Sequence, residues 1–255
     1  MKNIKITVEY DGMNYAGWQW QPDEPTLQAE LEQAILRVTG RQVRVTASGR
    51  TDAGVHAYGQ VVSFQTEAEL EPYNWQGALN HFLPDDMAVI HAEEVGLEFS
   101  ARHSARGKHY DYIVLNRRMP SPLLRHRAWH VSVPLDVGAM KRAAVHLTGE
   151  HDFSSFQASG CSANHPVREL MLLKISVDGD LITFSLGASA FLRHMVRNIV
   201  GTLVEVGRGR FEPDDVADIL AARDRTRSGP TAPPQGLYLM KVFYGESPLE
   251  EDIGG

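Results

Sequence analysis

The 255-residue chain has one cysteine, Cys161. That excludes an internal disulfide framework and the small secreted scaffolds that depend on one. No apolar run approaches the roughly 18 residues that a membrane-crossing helix needs. No GxxxxGK[ST] loop occurs, and no GxGxxG turn follows a strand, so the usual phosphate- and dinucleotide-cradling signatures are missing. A hard-cation loop needs several oxygen ligands at short spacing, yet Asp52 is the sole acid between Val43 and Thr66. His146, His151, Cys161 and His165 match no standard zinc-finger spacing and read as structural residues. The first residues, MKNIKITVEYDG, enter an alternating pattern at once. That leaves no room for a signal peptide, and the expected compartment is the cytoplasm.

What is present is ordinary in bulk and uneven in distribution. Hydrophobic residues make up 43% and charged residues 22%, as in a soluble globular protein. The formal charge is -7, but residues 101–130 carry seven basic side chains against one acid, Asp111. The basic residues are Arg102, Arg106, Lys108, Arg117, Arg118, Arg125 and Arg127. That segment is therefore +6 and the remainder -13. A local basic patch, rather than net charge, is what binds a phosphate backbone. The alternative is a solvated charged face.

Hydrophobic periodicity orders the elements. Alternation predicts a strand over 4–10. A helix over 26–38 follows, with Thr26 as its cap, Leu27, Leu31, Ala34, Ile35 and Val38 as its stripe, and Gly40 after its end. Strands at 42–47 and 58–66, a helix near 73–83 and a strand near 87–95 complete a β-α-β-β-α-β order, the ferredoxin-like unit. Apart from an extra leading strand and an extra short helix, residues beyond 105 repeat that order. Strands fall near 108–116 and 127–133, and Asp136 caps a helix. A hairpin at Asp178-Gly179 joins strands 168–177 and 180–187. A long helix over 190–206, a short one near Pro213 and a strand near 236–244 follow. The expected class is α+β, with two ferredoxin-like halves, 1–104 and 105–255. They would share a mostly antiparallel sheet, with helices on one face and a central cleft where ligands gather.

One loop stands out. In 48-SGRTDAGVHAYGQ-60, Gly49 and Gly54 bracket Arg-Thr-Asp-Ala between two predicted strands. Glycines there permit unusual backbone angles and close approach by another molecule. A carboxylate so placed serves as a base, a nucleophile or a ligand. Equally, Asp52 could simply bond its own backbone in an Asx-type turn.

GRTDAGVHA resembles the catalytic motif of tRNA pseudouridine synthases of the TruA family. The likeness extends along nearly the whole chain, through YDGMNYAGWQWQP, TLQAELEQAI, KHYDYIVLN, HDFSSF, GCSANHPVREL, FLRHMVRNIVGTLVEVG and TAPPQGLYL. The resemblance implies that Asp52 is the nucleophile that isomerises uridine to pseudouridine. It implies that Tyr110 lies against the target base and that Arg197 pairs with Asp52. Arg50 would contact the RNA and help hold the base out of its stack. It further implies a homodimer that needs no cofactor and no metal. The substrate would be the tRNA anticodon stem-loop at positions 38, 39 and 40 in tRNA numbering.

The reaction breaks the bond from ribose C1′ to N1 of uracil, turns the base and joins C1′ to C5. Nothing is oxidised and no group is transferred in. The carboxylate could add to C6, attack C1′ or remove a proton from C2′, and the sequence does not choose. A nearby guanidinium would keep it charged. Arg193 and Arg197, four apart on the predicted long helix, would share a face. With Arg102, Arg106 and Lys108, Arg193 completes the expected RNA contacts. Tyr110 and Tyr112 point to one face of a strand, and Tyr112 reads as core. Rival readings are a catalytically silent RNA-binding module and a hydrolase that releases uracil, whose product would differ in mass.

Overall fold

A computed structural model describes residues 1–158 and 165–245. Residues 160–164 of the GCSANHPVREL segment, Cys161 among them, lie outside the described residues. The chain divides into two compact units, Met1–Arg106 with Tyr238–Gly245, and Gly107–Leu237.

The first unit runs β1 (Lys2–Tyr10), α1 (Leu27–Thr39), β2 (Thr46–Ala47), β3 (His56–Thr66), α2 (Pro72–Asn80) and β4 (Met87–Val95). β1 lies antiparallel to both β3 and β4, and β2 pairs antiparallel with β3. This gives the order 4-1-3-2 of a ferredoxin-like unit. Alternation places Ile4, Ile6, Val8 and Tyr10 inward, and Leu27, Leu31 and Ile35 of α1 are fully buried. The Thr26 hydroxyl accepts from the Ala29 N–H, and Gly40 ends α1 at φ 70. A strand from the far end of the chain, Leu237–Tyr244, pairs in parallel with β3 at Tyr238–His56 and Leu239–Ala57.

β2 is shorter than the alternation over 42–47 predicts. The Val45 N–H donates to Glu32 Oε1 on α1 (3.1 Å), and Arg44 pairs with the same carboxylate at 3.2 Å. These residues bond to the helix instead of a ladder.

The second unit contains β5 (Ala105–Asn116), β6 (Trp129–Val131), α3 (Val137–Ala144), β7 (Gly149–Asp152), β8 (Val167–Asp178), β9 (Leu181–Ala188), α4 (Met195–Gly207) and α5 (Asp215–Ala222). β5-β9-β8-β7 is an antiparallel meander in space, and β6 adds a short parallel pairing to β5. The Asp136 carboxylate caps α3 through the Ala139 N–H at 2.9 Å, and Gly179 takes φ 56 in the β8–β9 hairpin. The C-terminal strand, in chain order β10, closes the described sequence.

α4 starts at Met195 rather than near 190. His194 precedes it with φ 63, a left-handed conformation uncommon outside glycine. Before it, the Arg193 carbonyl accepts from the Ala158 N–H at 2.9 Å. Arg193, expected one turn before Arg197 on the same helix, therefore stands in the entering loop and is exposed. Among the described residues, no helix is long and apolar enough to cross a membrane.

Candidate active site

In the first unit the loop 48–55 is held from below by buried polar groups. The hydroxyls of Tyr10 and Thr51 are 2.8 Å apart. Gln60 Nε2 donates to the Gly49 carbonyl at 2.9 Å and to the Tyr10 hydroxyl at 3.4 Å, and its Oε1 accepts from Ser48 Oγ at 2.7 Å. All four side chains are buried. Burial is the main reason the Tyr10 phenol is pushed up to about 12, partly offset by its bonds to Thr51 and Gln60.

Backbone contacts fix the loop from the side. The Trp18 N–H donates to the Thr51 carbonyl at 3.0 Å. A β-carbon on Gly12 would lie 1.9 Å from the Val55 oxygen, and one on Gly17 would lie 2.8 Å from the Thr51 oxygen. The glycines of YDGMNYAGW are therefore what let that segment lie directly against the loop. The turn closes through the Asp52 carbonyl, which accepts from the Val55 N–H at 3.2 Å, with Gly54 at φ 76. Thr51 is buried, Asp52 half-buried and Arg50 exposed. A carboxylate on so constrained a backbone is pre-positioned, as a nucleophile or base must be.

In the second unit Tyr110 sits on β5 opposite Leu186 of β9 and is 8% exposed. Phe191, from the loop before α4, packs edge-on against it at 5.1 Å and 85°. Tyr112 is fully buried and its hydroxyl donates to the Pro233 carbonyl at 2.7 Å. Burial pushes the Tyr112 hydroxyl well above its ordinary range, and the Arg197 charge pulls it partly back.

Arg197, half-buried on α4, is clamped at both ends of its backbone and side chain by one residue. Its Nε–H donates to the Ala232 carbonyl at 2.7 Å, and its own carbonyl accepts from the Ala232 N–H at 3.1 Å. The next residue, Asn198, secures the same segment. Its Nδ2 donates to the Phe156 carbonyl at 2.8 Å, and its Oδ1 accepts from Thr231 Oγ1 at 2.6 Å and Arg225 Nη2 at 3.1 Å. Gly201 makes the contact possible, because a β-carbon there would lie 1.7 Å from the Pro230 oxygen. TAPPQG thus positions Arg197. Nothing in the sequence of TAPPQGLYL marks this role, and no motif singles out Asn198, Arg225 or Phe191.

Arg102, Arg106, Arg117, Arg118, Arg125 and Arg127 are exposed, and Lys108 is half-buried on β5. Arg117 spends part of its charge on Asp180 at 3.4 Å. Asp111 is paired with His109 at 3.0 Å. Among the described residues, no three His, Cys, Asp or Glu side chains gather as a metal site would. A pocket of about 460 Å³ at the C-terminal end of α4, lined by Leu135, Asp136, Arg142, Arg208 and Glu212 among others, includes none of the expected site residues.

The chain matches the family model for tRNA pseudouridine synthase over residues 6–104 and 143–245, and it belongs to that family of isomerases. Its relatives include the "tRNA pseudouridine synthase A" of Myxococcus xanthus, 50% identical over 256 residues that span 100% of this chain and 97% of that protein. The protein of the same name from Thermoanaerobacter sp. (strain X514) is 48% identical over 244 residues, 96% of this chain and 100% of that one. Among solved structures, a Cbf5-Nop10-Gar1 complex aligns with TM-score 0.36 and 11% identity, over 78% of this chain and 54% of that chain.

Proposed function

We propose that this enzyme converts uridine to pseudouridine at positions 38, 39 and 40 of the tRNA anticodon stem-loop, with Asp52 as the nucleophile. The observation that carries the reading is the buried Tyr10–Thr51–Gln60 support beneath a half-buried carboxylate. The target nucleotide leaves its stack, since no carboxylate reaches a glycosidic bond inside one, and an anticodon stem-loop makes that cheap. The C1′–N1 bond breaks, the base turns, C1′ joins C5, and the C5 proton is lost while N1 gains one. Tyr110 lies against the base and holds or moves that proton. Arg197 pairs with Asp52 and sets a permanent positive charge beside the carboxylate. Its Ala232 clamp is consistent with a guanidinium of fixed plane. Arg50, Arg102, Arg106, Lys108 and Arg193 contact the RNA, mainly its phosphates. The enzyme works as a homodimer in the cytoplasm, and the twofold mate supplies part of the RNA surface.

The test incubates unmodified tRNA with wild type and Asp52→Asn, then maps pseudouridine and weighs the RNA. The expected result is pseudouridine at the three positions with unchanged mass for wild type, and none for Asp52→Asn. Full activity in Asp52→Asn would overturn the assignment of Asp52. Loss of uracil mass would make the enzyme a hydrolase. A monomeric variant with full tRNA affinity would remove the mate from the RNA surface.

A further inference from the structure

Tyr58 is the one residue in the first nine of β3 that faces solvent, at 49% exposure between buried neighbours. A lone exposed tyrosine means little, but this one is aimed. β1 and β3 pair Val8 with Gln60 and then Tyr10 with Ala57. Two steps on β1 thus oppose three on β3, a bulge that takes in Tyr58 and Gly59. Bulges re-aim side chains and gather near active sites. Gly59 is required on the other side, where a β-carbon would lie 2.4 Å from the Met240 oxygen of β10.

The ring is also backed. Tyr238 of β10, 5% exposed, stacks with Tyr58 at 5.7 Å and 21°. The same Tyr238 ring stacks with His56 at 4.8 Å and 21°. His56 is 1% exposed, and its Nδ1 lies 2.9 Å from Asp11 Oδ1. A row of three near-parallel rings therefore runs from a buried, carboxylate-paired imidazole to a half-exposed phenol, six residues from Asp52. A ring held in this way presents its surface with little rotational freedom left to lose, which is what a stacking partner needs.

We infer that Tyr58 is a stacking platform for an unpaired base of the bound tRNA. The inference rests on the RNA substrate of this family but not on the role of Asp52. When one nucleotide leaves a stack, a face of its neighbour is uncovered. An aromatic side chain that covers such a face recovers stacking that water cannot provide, and it does so for any base.

The experiment measures tRNA affinity of the full chain for wild type, Tyr58→Phe, Tyr58→Leu, Tyr58→Ala and Tyr73→Ala, with pseudouridine formation by wild type as the control. Tyr73, 74% exposed on α2, is a still more open ring, and no ring stacks on it among the described residues. Affinity should hold within about twofold for Tyr58→Phe and for Tyr73→Ala. It should fall roughly 5- to 50-fold for Tyr58→Leu and Tyr58→Ala, from the usual strength of base–aromatic stacking. Sedimentation should stay unchanged. Wild-type affinity in Tyr58→Ala overturns the inference, and so does wild-type affinity in Tyr58→Leu, which would make the contact merely apolar. A change of oligomeric state in Tyr58→Ala would make the ring a contact between copies and overturn it too. A wild type that forms no pseudouridine counts against the proposed function instead.

Discussion

Thr51 and Asp52 are adjacent in the chain and differ in what they face. The threonine is buried against Tyr10, while the acid is half-open. Thr51→Val removes the hydroxyl partner of a buried phenol, which costs about 1–3 kcal/mol. Urea unfolding should register that loss, and turnover should fall about tenfold or more with little change in KM, because a loosened loop misplaces the acid. Thr51→Ser should restore both. Equal turnover in the valine variant would break the link between this network and the chemistry. The same phenol is one of four, with Tyr15, Tyr112 and Tyr244, whose burial makes stability fall at alkaline pH. Its folded value, about 12, lies above the ordinary 10, so the folded state holds the proton more tightly. The stability is whole below pH 10 and is lost as pH rises through 12. Tyr10→Phe should therefore show a shallower loss between pH 10 and 12, by about 2–3 kcal/mol, in denaturation midpoints.

At the scale of elements, the caps and the patterned strands were legible in the sequence. Thr26, Asp136, Gly40 and the Asp178-Gly179 hairpin act locally, and the alternation in β1 and β4 reflects a single buried face. What was not legible depends on partners far along the chain. β7 is the polar run GEHD, a strand only because β8 pairs with it. Arg44 and Val45 bond Glu32 rather than a ladder. The start of α4 is set by a left-handed His194 that no periodicity announces. Of the site, the Asp52 loop was legible through its glycines and motif, but the Tyr10–Gln60 bond joins residues 50 apart and the Ala232 clamp residues 35 apart. That clamp gives a contrast of two glycines. Gly201→Ala drives a methyl into the Pro230 carbonyl, so α4 and the TAPP segment must part. It should destabilise by about 1–3 kcal/mol, and, on the proposed role of Arg197, abolish most activity by freeing that side chain. Gly77→Ala on α2 meets nothing within 4 Å and should stabilise by about 0.5–1 kcal/mol with activity retained. Thermal melts of the two variants would show opposite shifts.

For the whole molecule, charge is sorted along the chain, +6 in residues 101–130 and -13 elsewhere. Six of those seven basic side chains are exposed. If they neutralise about six phosphates, tRNA affinity should fall roughly a thousandfold between 50 and 200 mM salt. A flat titration would remove this segment from the RNA interface. Topology adds a consequence of another kind. β3 follows the Asp52 loop and carries the tyrosine platform, yet its His56 and Ala57 pair with Tyr238 and Leu239, 182 residues later in the chain. During synthesis that edge of β3 stays unpaired until residues 238 and 239 have been made. The Tyr58 ring gets its backing from Tyr238 only then, so a chain released before that point would carry the Asp52 loop without the stacked rings beside it.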